Sequence, residues 1–119
     1  MSFILKGQCK SGKNNMIVLR NGMHIPKKDF VEWRAKMVKQ IYEQRPPVGP
    51  IDQPCSIDIR YVPGDLRTRD IPGMVDALFH VLEYSKTVRN DFLFKNLVWK
   101  TLPLDRENPA VAVHIDYPI

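Results

Sequence analysis

Between residues 28 and 84 the spacing of apolar side chains changes period twice, and that alternation limits the folds open to the chain. Phe30, Trp33, Met37, Val38 and Ile41 recur at helical spacing, the mark of a helix over 28–44 with one buried stripe. Arg45-Pro-Pro-Val-Gly-Pro50 then stops it, because proline lacks the amide hydrogen and clashes with the preceding turn. Ile57, Ile59 and Tyr61 alternate with Asp58 and Arg60, the period of a half-buried strand. After Pro63-Gly64 the helical period returns with Met74, Val75, Leu78, Phe79 and Leu82. That predicts a second helix over 72–84, with Pro72 in the first turn, where its missing donor costs nothing.

Strands are expected on both sides of this unit. One opens at 3–5 and a second covers 16–20. Asn21-Gly22 predicts a type I′ hairpin turn into 23–25, since that turn needs two residues at positive φ. Two more strands, over 92–102 and 110–117, close the chain. The fold class expected is α+β: one domain over 1–119, with a mixed β-sheet and two main helices. A chain of 119 residues is long enough for one core and little more.

Charge is segregated along the sequence. Residues 1–47 hold ten of the eighteen Lys and Arg and three of the thirteen acids, so the first part is +7 and the remainder −2. That asymmetry suits a polyanion binder whose acids serve a separate purpose. Cys9 and Cys55 lack zinc or redox spacing and read as two plain thiols. No apolar run reaches the roughly 18 residues of a membrane span, and the first residues do not read as a signal peptide. A cytoplasmic protein with no membrane partner is expected, nucleoid-associated or phage-encoded.

Gly7-Gln-Cys-Lys-Ser-Gly-Lys13 fits the phosphate-loop spacing, yet Asn14 follows where Ser or Thr would bind magnesium, and a strand follows where a helix should. A basic loop beside a DNA backbone, or a solvated loop, describes it better. His24, His80 and His114 show no ligand spacing, and no Ser-His-Asp or Cys-His set is legible.

The informative stretch is Gly64-Asp-Leu-Arg-Thr-Arg-Asp-Ile-Pro-Gly-Met-Val-Asp-Ala-Leu78, followed by Asn90-Asp91. Asp70 stands at a helix N-terminus, where it serves as a cap or as an ionised carboxylate held by the helix dipole. Asp76 lies on the polar side of that helix with Pro72. Phosphodiester hydrolysis without a covalent intermediate needs a carboxylate-bound Mg²⁺ and cations to dock the backbone. Asp70, Asp76 and Asp91 with Arg67, Arg69, Lys86 and Arg89 have the residue types for both.

This pattern resembles the RusA-type Holliday junction resolvases. The likeness rests on Ser11-Gly-Lys-Asn-Asn15, the hairpin feeding a basic helix, Arg69-Asp70 opening the next helix, and Asn90-Asp91 after it. The resemblance implies a homodimeric, Mg²⁺-dependent endodeoxyribonuclease that nicks four-way or branched DNA. It implies Asp70 and Asp91 as catalytic metal ligands; Asp76 is read beside them as a third catalytic metal ligand or as the base for the attacking water, and Lys10, Lys13, Asn14, Arg67, Arg69, Lys86 and Arg89 as DNA contacts. The family motif resembles Arg-Asp-x-Asp-Asn with a lysine one turn on. Here Pro72 replaces the second acid, Gly73 the Asn, and Asp76 the lysine. Two readings follow: an active resolvase with Asp76 restoring the carboxylate count, or a catalytically inactive module of the same fold that binds branched DNA. A third, an RNA-binding α+β domain, lacks the clustered aromatics that stack on single-stranded bases.

Overall fold

A computed structural model describes residues 1–12, 16–45 and 48–118. The elements run β1 (Ser2–Lys6), β2 (Met16–Val18), β3 (His24–Pro26), α1 (Lys28–Gln44), β4 (Cys55–Val62), α2 (Ile71–Tyr84), β5 (Phe94–Thr101) and β6 (Ala110–Asp116). A 3₁₀ turn at Asp91–Leu93 precedes β5. Four strands form one mixed sheet in the order β1-β6-β4-β5, and β2 and β3 form a separate ribbon. β4 and β5 are parallel and joined through α2, while β6 runs antiparallel to both β1 and β4. The architecture is the expected α+β fold.

One face of the sheet builds the core. Phe3 and Leu5, Ile57, Ile59 and Tyr61, and Val111, Val113 and Ile115 alternate inward from three strands. They meet Trp33, Met37 and Ile41 of α1 and Met74, Leu78, Val81 and Leu82 of α2. Both helical stripes and the 57–61 alternation read from the sequence are the surfaces buried here. The opposite sheet face carries exposed residues, among them Ile4 and His114. Among the described residues no helix is long and apolar enough to cross a membrane.

The free edge of β1 is closed by side chains. Gln44 of α1 accepts from the Ile4 amide (2.8 Å) and donates to the Ile4 carbonyl (2.9 Å). Gln40 does the same at Lys6, at 2.7 and 3.0 Å. One helical turn between the glutamines matches the two-residue repeat of the strand, so two side-chain amides occupy the groups that another strand would pair with.

The hairpin turn differs from the expected type I′. Only Gly22 crosses to positive φ (81°) in this turn, while the Leu19 carbonyl accepts from Gly22 (2.9 Å) and the Leu19 amide donates to Met23 (2.8 Å). The loop is three residues long with its glycine left-handed, the form that closes on a bulge. Asn21 contributes through its side chain, whose Oδ1 accepts from the Met23 amide at 3.0 Å. The strand expected over 16–20 ends at Val18 because this wider turn takes up the next residues.

Candidate functional site

The site region forms where two loops meet at the start of α2. Asp70 caps the helix, its Oδ2 accepting from the Gly73 amide at 2.8 Å, which satisfies one of the donors every helix N-terminus leaves open. Pro72 follows within the first turn. Ahead of the cap, Asp65 grips Arg69 through both guanidinium nitrogens, at 2.7 and 3.0 Å. Asp65 also accepts from the Arg67 amide (2.9 Å). The Arg69 hydrogen bond is the chief reason that the Asp65 carboxyl is held down to about 2.

The loop after β1 is stitched to this segment. Gln8 accepts from the Gly64 amide (2.8 Å) and donates to the Tyr61 hydroxyl (2.6 Å). Four residues on, the Gly12 amide donates to the Gly73 carbonyl at 2.7 Å. Ser11 and Gly12 therefore lie as a strap across the first turns of α2. The close approach explains Gly73: a Cβ there would overlap the Ser11 hydroxyl and stand 3.0 Å from Asp70 Oδ2. Gly12 in turn faces Asp76 Cβ and the Ala77 amide, both 3.4 Å from where its own Cβ would be. Asp70 and Asp76 flank the strap.

Asp91 lies elsewhere. Its amide donates to Glu83 Oε1 at 2.6 Å, which fixes it to the last turn of α2. Glu83 is thirteen residues along from Asp70, about 20 Å at the helical rise. Two ligands of one Mg²⁺ sit within roughly 4 Å of each other, given metal–oxygen distances near ~2.1 Å. Asp70 and Asp91 of one chain therefore cannot share an ion. Among the described residues, no group of three or more His, Cys, Asp and Glu could hold a metal. The donor set expected for Mg²⁺ does not fit within one chain.

The expected DNA contacts divide in the same way. Lys10 and Arg67 sit at the strap end, with Lys10 Nζ 3.2 Å from Asp29 and Arg67 exposed. Lys36 joins them, its Nζ 3.4 Å from the position a Gly7 Cβ would take. Arg69 is only 16% exposed and given over to Asp65, so it is a clamp of the loop rather than a phosphate contact. Lys86 and Arg89 belong to the far end of α2, where Arg89 meets Asp52 at 3.2 Å. Lys86 takes a left-handed backbone (φ 57°) just past the helix. There its amide donates to Glu83 and the Thr87 amide donates to Leu82, a Schellman closure. Lys13 and Asn14 lie outside the described residues, as do Pro46 and Pro47 of the linker.

Two features were not legible in the sequence. A cleft of about 390 Å³ opens beside the strap, lined by Phe30, Met16 and Ala77 with Arg34, Asp76 and His80. Arg34 stacks on Tyr84 (4.2 Å) and meets His80 Nε2 at 3.1 Å. Burial first and the Arg34 charge second push the His80 pKa down, so its neutral form is favoured. The other is a hydrogen-bonded row on the open sheet face: Ser2 Oγ meets His114 Nδ1 (2.6 Å), and His114 Nε2 meets Asp116 (2.8 Å). His114 and Asp116 are 50% and 71% exposed, so water competes for these bonds and no acyl-transfer role is assigned. The thiols behave as expected of plain cysteines: both are free and buried, and burial raises Cys9 to about 12.

No protein-family model matches the chain, and no curated protein matches it.

Proposed function

We propose that the chain binds branched DNA, four-way junctions above linear duplex, as a module of resolvase type that does not itself cut the strand. What supports the reading is the joining of two loops into one rim by Gln8 and Gly12, with the Asp65–Arg69 pair bracing the second loop internally. That rim lies past the C-terminal ends of β1 and β4, with the Lys36 ammonium beside Gly7, Lys10 in the first loop paired to Asp29 and Arg67 exposed in the second. Cations fixed on a rigid edge dock phosphates, and the affinity they supply falls steeply with salt. The carboxylates argue against catalysis by one chain: Asp70 is engaged as a cap, and Asp91 is a helix length away.

The test is junction binding and nicking by the purified protein, with and without Mg²⁺. Tighter binding to a four-way junction than to duplex is expected, with no nicking. Lys10→Ala and Arg67→Ala should each weaken binding and lower the log–log salt slope by roughly one. Arg89→Ala should change neither. Equal, weak binding to every DNA would overturn the proposal.

A second reading is favoured by one observation. Asp70 and Asp91 are both present, at opposite ends of one helix, each with Arg or Lys neighbours in sequence. If the chain is a Mg²⁺-dependent nuclease, its site must combine the Asp70 end of one copy with the Asp91 end of a second. Mixing then separates the readings. Asp70→Asn and Asp91→Asn proteins, each inactive alone, would together regain nicking, since the heterodimer keeps one intact pair.

A further inference from the structure

Beside the cleft, the contact between the two helices is made by a hydrogen bond that only one protonation state of a histidine allows. Arg34 Nη1 of α1 meets His80 Nε2 of α2 at 3.1 Å. A guanidinium has donors and no acceptor, so Nε2 accepts, and a ring nitrogen that accepts carries no proton. His80 is therefore neutral in this contact, with its proton on Nδ1. Aromatic rings fix the pair from both sides. The Arg34 guanidinium lies 4.2 Å from the centre of the Tyr84 ring, and the His80 ring stands 5.8 Å from Phe30 and 5.9 Å from Tyr84. Among the described residues, the charged groups around His80 are Arg34 from α1 and, on its own helix, Asp76 one turn before it and Glu83 one turn after. The strap and the ribbon bring Gly12, Met16 and Pro26 to the same cleft, and none of these carries a charge.

We propose that Arg34 and His80 form an acid-released latch between α1 and α2, closed while His80 is neutral and opened when its Nε2 takes up a proton. The proton lands on the atom that receives the Arg34 bond, so the bond cannot survive it, and two cations are left 3.1 Å apart. Like charges that close repel strongly where the ring is partly shielded from water. Arg34 then leaves the Tyr84 ring for the water of the cleft, and the imidazolium turns toward Glu83, whose charge favours the protonated ring. In the closed form, burial and the Arg34 charge outweigh Glu83 and hold the His80 pKa below the ordinary 6.5, so the fold binds fewer protons here than the unfolded chain. The latch is therefore complete above pH 6.5 and is lost as pH falls through the folded value. Protonation of a histidine at a helix contact is a recurrent way of biasing a two-state element, and nothing in this one depends on DNA or on a second copy.

The experiment is NMR on the full chain with labelled histidine and arginine, titrated from about pH 8 to about pH 5, the span in which histidine changes charge. At the alkaline end, long-range proton–nitrogen correlations should put the His80 proton on Nδ1. As pH falls, protonation of His80 and loss of the Tyr84 ring-current shift on Arg34 should follow one curve, with a midpoint below 6.5. Arg34→Met removes both the donor and the charge, and should raise that midpoint and move the neutral proton toward Nε2. His80→Gln keeps an acceptor for Arg34 at every pH, so its Arg34 signals should hold still across the whole range. A His80 proton found on Nε2 at alkaline pH would overturn the proposal. So would Arg34 signals that stay fixed while His80 titrates, a midpoint unmoved in Arg34→Met, or an acid response in His80→Gln equal to the parent's.

Discussion

Replacing Gly73 by alanine sets two effects of opposite sign against each other. In an open helix the change stabilises by up to about 1 kcal/mol, since glycine has more backbone freedom to lose. Here the new methyl overlaps the Ser11 hydroxyl, stands 3.3 Å from Ser11 Cβ and 3.0 Å from the capping Asp70 Oδ2. Rotating the Ser11 hydroxyl away does not relieve the other two contacts, so the strap must lift. Lifting it removes the Gly12-to-Gly73 hydrogen bond, about 0.5–1.5 kcal/mol net, and crowding of this kind costs about 1–3 kcal/mol in packed sites. The clash wins: Gly73→Ala is expected to destabilise by about 1–2 kcal/mol. In a domain of this size that lowers Tm by roughly 4–8 °C. Urea and thermal unfolding measure the loss, and hydrogen exchange at the Gly12 amide should speed up, reporting the strap directly. Ser11→Gly removes two of the three atoms in the clash and leaves the Asp70 contact, so the double variant should recover about 1 kcal/mol relative to additivity. A Gly73→Ala protein as stable as its parent, or a double-mutant cycle with no coupling, would refute the strap geometry.

Other outcomes follow from the same contacts. Gln40→Ala leaves the Lys6 amide and carbonyl without their side-chain partner and should cost about 1 kcal/mol, read by urea unfolding. Lys86→Gly relieves a left-handed backbone that costs an L-residue about 1–2 kcal/mol and should raise Tm by a few degrees, with junction affinity unchanged, because Lys86 stands at the far end of α2 from the rim. The Asp65 carboxyl, held down to about 2 by Arg69, binds fewer protons in the fold than in the unfolded chain between pH 3.8 and about 2. Its contribution is therefore complete above pH 3.8 and lost as pH falls through that window; Asp65→Asn should flatten this part of the stability curve, and an unchanged acid limb would remove the Asp65–Arg69 clamp from the account.

Local pattern was enough to place the helices and to say which side of each is buried. The stripe from Phe30 to Ile41, the alternation from Ile57 to Tyr61 and the stripe from Met74 to Leu82 are properties of neighbours in sequence, and hydrophobic burial acts on them directly. The cap at Asp70 is local for the same reason, since its partner is three residues away. Turn type was less secure: Asn21-Gly22 signals a turn, but which residues go left-handed depends on where the strands on either side stop.

Everything that joined distant segments was decided by tertiary structure. The sequence places Asp70, Asp76 and Asp91 within 22 residues, and neighbours in sequence cannot say that a helix of 14 residues stands between the first and the last. Arg69 reads as a free cation until Asp65 is seen to hold it, and Gly73 reads as a lost asparagine until Ser11 is seen lying across it. Gln40 and Gln44 look like solvated helix residues until β1 arrives beside them. A periodic pattern fixes which way a side chain points within its own element; what it points at is set by the packing of elements far apart in the chain, and charge, metal and partner chemistry depend on that.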